Sequence, residues 1–361
     1  MTAKLFTPIT LRGLTLSNRV VVSPMCQYAS IDGSANDWHL MHLGQFAMGA
    51  GGLVVTEATH VSAVGRISKN CLGLYSDENE ASLKKVIDFC KRYGVAKFGI
   101  QLAHAGRKGS VHRPSDGSKP LAAEEGAWTT LAPCALPYGP GWHTPAAITR
   151  AGLAEVKQQF VESAKRAVRV GFELGELHIG HGYLLHQFLS PLSNQRDDEY
   201  GSSSANRMRY PLEVFDAVRA AWPTDKPMGV RVSATDWVDG GWTPEETVVF
   251  AQELKNLGCD FLDVTTGGLD PRQKITLAPG YNVPFAEQVK RETGMAVMAV
   301  GMISSGIQAE DIVSSGKADM VAIARAVMDN PHWAWQAARE LGAETSYAGQ
   351  YQRCHPSVWK P

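Results

Sequence analysis

The sequence predicts an α/β fold of the (β/α)8 TIM-barrel type, and three observations carry that reading. Apolar runs of four to six residues recur eight times along the 361 residues. A longer stretch of helical period follows each run. The first run leads into Pro24, Met25 and Cys26. A doubly wound sheet would usually show a Gly-x-Gly-x-x-Gly turn there.

In chain order the expected strands are Arg19–Ser23, Leu53–Thr56, Lys97–Gln101, Leu174–His178, Met228–Val232, Phe261–Thr265, Ala296–Val300 and Met320–Ile323. The helical stretches cover 37–50, 80–93, 150–170, 205–221, 243–257, 284–293, 306–315 and 331–341. In the second of these, Leu83, Val86, Ile87 and Cys90 fall at i, i+3, i+4 and i+7, and Gly94 supplies a stop. The fifth opens with Thr243 as N-cap, Pro244 at the first helical position and two glutamates in the first turn. A plain barrel needs about 250 residues, so roughly a hundred are additions to one domain spanning 1–361. Residues 1–18 suggest a hairpin closing the barrel floor. Residues 103–148 form a long Gly- and Pro-rich insertion after the third strand, of the kind that is functional or disordered. Residues 343–361 carry Tyr347, Tyr351, Arg353 and Trp359, too many large side chains for a disordered tail, and form an arm expected to pack on something.

Composition removes several classes of function. Lysine plus arginine is 35 and aspartate plus glutamate is 36, for a net charge of -1. No basic surplus exists to neutralise phosphates, so a nucleic-acid partner is not expected. The apolar runs fall short of the ~20 residues of a membrane span, and the N-terminus lacks the apolar core of a signal peptide. The six cysteines are scattered, with no Cys-x-x-Cys pair, against a zinc ribbon, an iron–sulfur cluster or a disulfide framework. A cytoplasmic protein without a bound metal is the expectation.

In barrels of this type the chemistry sits where strands end. Those positions hold Pro24-Met25-Cys26, Glu57-Ala58, Gln101, His178, Arg231, Thr265-Thr266, Gly301 and Ala324-Arg325. Any one of them could simply be a polar residue ending a strand. Together, Arg, His and Gln suggest a ligand with hydrogen-bonding edges and negative charge. Ser305 and Gly306 open a helix, and Arg325 follows the eighth strand. Loops seven and eight are the usual phosphate position, where backbone amides and an arginine fork meet an anion. After the fourth strand stand His178, His181 and Tyr183. Two imidazoles three apart can hold a carbonyl or nitro oxygen, with a phenolic proton nearby. A metal pair is the alternative, but zinc needs a third protein ligand and none is evident.

At this point the chain resembles the old yellow enzyme family of FMN-dependent ene-reductases, in its thermophilic-like branch. The resemblance covers essentially the whole chain. It rests on LxNRVVVSPMCQY at 16–28, EAT at 57–59, QLAHAGRK at 101–108, GELHIGHGYLLHQFLSP at 175–191 and NQRDDEYG at 194–201, with NRMRY at 206–210, GVRVS at 229–233 and ARA at 324–326. It implies one non-covalent FMN, with NADPH or NADH as reductant. Pro24, Met25 and Cys26 would lie along the isoalloxazine edge. Ala58 and Gln101 would bond its pyrimidine side, Arg231 would sit near N1 and O2, and Gly301 and Arg325 would hold the ribityl phosphate. His178 and His181 would bind the oxygen of an activated alkene, Tyr183 would supply the proton, and Tyr28 would line the substrate pocket. Cys26 and Tyr28 together resemble the signature of the branch, with the thiol tuning the flavin. Arg107 and Lys108 would contact the cofactor or brace the site. The arm resembles one that reaches into a neighbouring subunit, through Trp359 or Arg353, in a homodimer or homotetramer.

The chain departs from the family pattern at four places. Ala324 replaces glycine before the phosphate arginine, and its methyl group is expected to crowd that site. Ser202 replaces the second glycine of a YGGS turn. Met302 stands where one subgroup has tryptophan. Gly175 replaces a β-branched strand residue, at some cost in strand stability. Three other readings compete: a dienoyl-CoA reductase-like enzyme, a flavin-binding protein without turnover, and a lyase or isomerase using Lys108 as a Schiff base.

Overall fold

The computed structural model describes residues 3–49 and 51–359. Eight parallel strands close into a barrel: β1 (Val20–Val22), β2 (Leu53–His60), β3 (Lys97–Ala103), β4 (Leu174–Ile179), β5 (Met228–Ser233), β6 (Phe261–Thr265), β7 (Ala296–Ala299) and β8 (Met320–Ile323). Each strand pairs with its neighbour in the chain. β8 returns to β1 with Val321 opposite Val20 and Ile323 opposite Val22. The strand missing from an open sheet's edge is therefore supplied by closure.

The N-terminal hairpin, Ile9–Leu11 against Leu14–Leu16, plugs the floor. Its Leu11, Leu14 and Leu16 pack in one apolar cluster with Val21, Leu53, Leu174, Phe261, Met298 and Met320 from the barrel interior. β2 runs four residues past its expected end. A bulge between Val55 and Ala58 shifts its register, after which it continues beside β3 with Ala58 opposite Gln101. Gly175 has a packing reason: a Cβ there would come within 3.3 Å of the Trp222 ring, which fills the space a branched side chain would use.

The helices start where their caps put them. Ser76 accepts from the Asn79 amide and begins its helix at Asp77, three residues before the apolar periodicity shows it. Thr243 and Glu246 form the reciprocal capping box. The insertion after β3 is ordered, with short 3-10 turns and a two-residue parallel pair, Leu131–Ala132 with Ala146–Ala147. The C-terminal arm packs on its own barrel. Trp335, in helix Trp333–Glu340, stacks with Tyr347 of the arm at 4.4 Å and with His332 at 4.1 Å.

Candidate active site

The loop after β4 brings the expected trio together. His181 Nδ1 lies 3.1 Å from His178 Nε2, and the ring centroids of His178 and Tyr183 are 5.1 Å apart. His181 has a positive φ of 53°, costly for a residue with a Cβ, and it is held at every polar atom. Its backbone N–H donates to Ser233 Oγ at 2.9 Å, its carbonyl accepts from Lys108 Nζ at 2.7 Å, and its Nε2 faces Thr265 Oγ1 at 3.1 Å. Burial holds both imidazoles well below the ordinary histidine range, and the charges of Arg231 and Lys108 act the same way. The pair is neutral at pH 7 and can only donate or accept hydrogen bonds. Burial also raises the Tyr183 phenol well above its usual value, so it keeps its proton until a strong base forms beside it.

The first turn of the long insertion straps this loop down. Lys108 Nζ also donates to Gly268 O at 2.7 Å, and its ammonium faces the rings of Tyr138 and Tyr183. Arg107 is buried and donates to the carbonyls of Leu136, Pro137 and Leu269. Both act as braces. Burial, and then the charge of Arg107, lower the Lys108 amine to about 7, but two carbonyl oxygens tie it in place, a poor arrangement for a Schiff-base nucleophile.

Across the mouth, Cys26, Tyr28 and Tyr183 pack with Trp142 against Ile67, Cys71, Ala105 and Val111. Burial and the nearby Glu57 push the Cys26 thiol up, which keeps it a thiol and not a nucleophilic thiolate. Glu57 Oε2 accepts from the Gln27 amide at 3.0 Å, and its other oxygen lies 3.4 Å from His39 Nε2. This pair anchors the segment from Pro24 to Tyr28, whose last residue is itself strained at φ 53°. Ala58 and Gln101 are buried at the ends of β2 and β3, and Gln101 Nε2 donates to Glu176 Oε1 at 2.8 Å.

A cavity of about 710 Å3 runs from His181, Arg231 and Thr265 to Gly301, Ser305, Gly306, Ala324 and Arg325. Its far end joins the N-terminus of helix Gly306–Ser314 to Arg325, as expected for an anion site. Gly301 sits at φ 119°, and a Cβ there would meet Asn282 Nδ2 at 2.9 Å. Ala324 lines this end with φ at -109° and ψ at -85°. Trp359 is half-exposed on the arm and is not among the residues lining the cavity.

The chain is similar to known proteins along nearly its whole length. The NADH:flavin oxidoreductase / NADH oxidase family model matches residues 4–344. An NADPH dehydrogenase of Geobacillus sp. (strain WCH70) is 45% identical over 98% of this chain and 99% of its own. This chain belongs to the old yellow enzyme family. A second relative, an NADH:flavin oxidoreductase of Gibberella zeae, is 43% identical over 96% of this chain and 88% of its own. Among solved structures, morphinone reductase superposes with a TM-score of 0.79 at 27% identity, over 96% of this chain and 91% of that one. A 2-naphthoyl-CoA reductase has a TM-score of 0.84 at 24% identity, and this chain spans 53% of its length. That likeness shows the shared barrel alone.

The enzyme is thus a flavin oxidoreductase whose cofactor is FMN and whose reductant is a nicotinamide dinucleotide. The site fits FMN. Arg231 is buried at the mouth, His178 Nδ1 lacks a hydrogen-bond partner, and the cavity lined by Arg231 and His181 leads to the Gly301–Arg325 anion end. Thr265 and Glu57, read from sequence only as strand-end residues, join this old yellow enzyme's site, and residues not singled out from sequence complete it: Ser233 and the fully buried pair His186 and Asp236, 3.1 Å apart. His186 Nδ1 accepts from the Gly182 amide at 2.9 Å and so supports the His178–Tyr183 loop from below. Only the repeated histidine in HGYLLH hints at that role. No helix among the described residues is long and apolar enough to cross a membrane.

Proposed function

We propose that the enzyme is an NAD(P)H-dependent ene-reductase acting on alkenes activated by a carbonyl or nitro group. One observation carries the reading: two neutral imidazoles and a protonated phenol converge beside a cavity fitted for FMN. Bound FMN would accept hydride from NADPH or NADH and deliver it to the alkene. Pro24, Met25, Cys26, Ala58, Gln101 and Arg231 would hold its ring, and Gly301 and Arg325 its phosphate.

The chain's own residues do the rest. An oxygen seated against His178 Nε2 and His181 Nδ1 accepts from both in place of their contact with each other, which polarises the double bond without bringing a full cation into the site. Charge that develops on that oxygen is spread over two donors. Tyr183 then gives its proton to the carbon next to the activating group. Its raised pKa is compatible with this task, because the developing enolate is a far stronger base than water. Tyr28, opposite Tyr183, lines the substrate side. Arg231 places a cation under the mouth and favours a negatively charged ligand there.

The anaerobic protein, titrated with NADPH and then with a panel of enones, enals, maleimides and nitroalkenes, tests this reading. Bleaching by NADPH and recovery with an alkene support it. Bleaching with no recovery on any alkene would indicate a flavin protein without ene-reductase turnover. In the same reading the arm reaches a neighbouring subunit through Trp359 or Arg353 in a dimer or tetramer, and the half-exposed Trp359 supports it.

A further inference from the structure

Beneath the mouth lies a layer of charge of which the proposed reaction uses only Arg231. Glu176, Arg231 and Asp263 come from three successive strands, β4, β5 and β6. Arg231 stands opposite Asp263 in register, and Glu176 stands opposite Gly229. The Glu176 side chain is fully buried and that of Asp263 is 1% exposed. Arg231 Nε lies 3.3 Å from Asp263 Oδ2, and its Nη1 donates to Ser23 Oγ at 3.1 Å. Glu176 Oε1 accepts from Gln101. Glu176 Oε2 and Asp263 Oδ1 have no partner.

Below this layer the barrel is apolar. Leu174 and Phe261 lie two residues earlier on the strands of Glu176 and Asp263, so they share the same interior face one level down. Both belong to the cluster sealed by the N-terminal hairpin. Water does not reach the carboxyls from the floor. Two ionised carboxylates with one guanidinium would leave an uncompensated negative charge in a dry layer. Retaining one proton costs less than burying that charge. Burial raises the Asp263 carboxyl too, but Asp263 is the carboxylate beside the guanidinium, whose charge acts against that rise. Glu176 has only an amide N–H on one oxygen, which suits the carbonyl oxygen of a neutral acid and leaves Oε2 to carry the proton.

We propose that Glu176 is a proton-storing acid, protonated at neutral pH, which leaves Arg231 with Asp263 as its single counter-ion. The layer is then neutral, and Arg231 keeps more of its attraction for an anion at the mouth than it would between two carboxylates. A more negative ligand at Arg231 tightens the hold of Glu176 on its proton, and ionisation of Glu176 at alkaline pH weakens anion binding. Burial, and then the charge of Asp263, push the Glu176 carboxyl up to about 8, while Arg231 and Gln101 act in the opposite direction. The other titratable neighbour is Cys259, whose thiol is itself raised by burial and stays neutral. Glu176 is a positioning residue for charge and touches no reacting atom. The inference does not depend on which alkene the enzyme reduces.

Infrared spectra of the FMN-loaded enzyme in H2O and D2O test it. A protonated-carboxyl stretch at neutral pH is expected. It shifts on deuteration and fades as the pH is raised through about 8. It moves when glutamate side-chain carboxyls carry 13C, and stays in place when aspartate carboxyls do. The band is lost in Glu176→Gln. Absence of the band, its response to the aspartate label, or its survival in Glu176→Gln overturns the proposal. The isotope and pH results come from the unmutated protein and stand even where that variant does not fold.

Discussion

Thr265 Oγ1 and His181 Nε2 are 3.1 Å apart, across the mouth of the barrel from β6 to the loop after β4. A hydroxyl that donates to Nε2 places the His181 proton on Nδ1, the nitrogen that faces His178. That proton is then available to an oxygen at the mouth, which is the tautomer of His181 that the proposed reaction needs.

Removing that hydroxyl therefore tests how the pair is set. Thr265→Val keeps the shape and loses one hydrogen bond, worth about 1 kcal/mol, or roughly a fivefold fall in kcat/KM for an enone. Thr265→Ser should restore it. The 15N shifts of His181 should report a changed tautomer balance in Thr265→Val and not in Thr265→Ser. An unchanged spectrum in the valine variant would take Thr265 out of this role.

Tyr183→Phe removes the proton donor and leaves the histidine pair in place. NADPH should reduce this variant at the wild-type rate, whereas turnover of an enone should fall by about 100-fold, the low end for a lost general acid. Stopped-flow measurement of the two half-reactions separates the steps. Equal oxidative rates in variant and wild type would mean that the proton comes from elsewhere.

The buried carboxyl makes stability depend on pH in a definable window. Glu176 is raised from 4.5 to about 8 in the folded protein. Between those values the unfolded chain has released a proton that the folded protein keeps. Its contribution is complete at low pH, declines as pH rises from 4.5 to about 8, and is constant above that. Denaturant unfolding across this range should show the decline in wild type relative to Glu176→Gln. A constant difference between the two proteins would mean that Glu176 titrates in its ordinary range.

Ser202 takes a glycine-like conformation at φ 64°. Its carbonyl accepts from Arg207 Nη1 at 2.8 Å, and its hydroxyl donates only a long bond to Arg196 O at 3.3 Å. The backbone contact is kept in Ser202→Gly and the strain is relieved. The substitution should stabilise the protein by about 1 kcal/mol, read as a higher denaturation midpoint with unaltered enone turnover.

The parts of this molecule that were legible in the sequence are those written locally. Arg150–Val170 matches its helical period end to end, and Phe261–Thr265 is the strand its apolar run describes. His178, His181 and Tyr183 are close in the chain, so their meeting follows from one turn. Less was visible where tertiary structure decides. The bulge that carries β2 to His60 depends on pairing with β3. The short helix Leu184–Leu189 is a single fully buried segment whose apolar run has no face. Thr265 beside His181, and Glu176 beneath the mouth with Asp263, are brought together by closure of the barrel across 84 and 87 residues of sequence, counted from the residue numbers. Gly175 reads as a weak strand position in the sequence, whereas in the fold the Trp222 ring fills the space beside it.

The most direct test of the central claim is a two-step anaerobic titration of the purified protein followed by visible absorbance. Stoichiometric bleaching of a flavin band by NADPH, then its full return on addition of 2-cyclohexenone with formation of the saturated ketone, is the result expected. A protein that stays colourless after incubation with FMN would contradict the account at its base, because the cavity between His181 and Arg325 would then serve some other ligand.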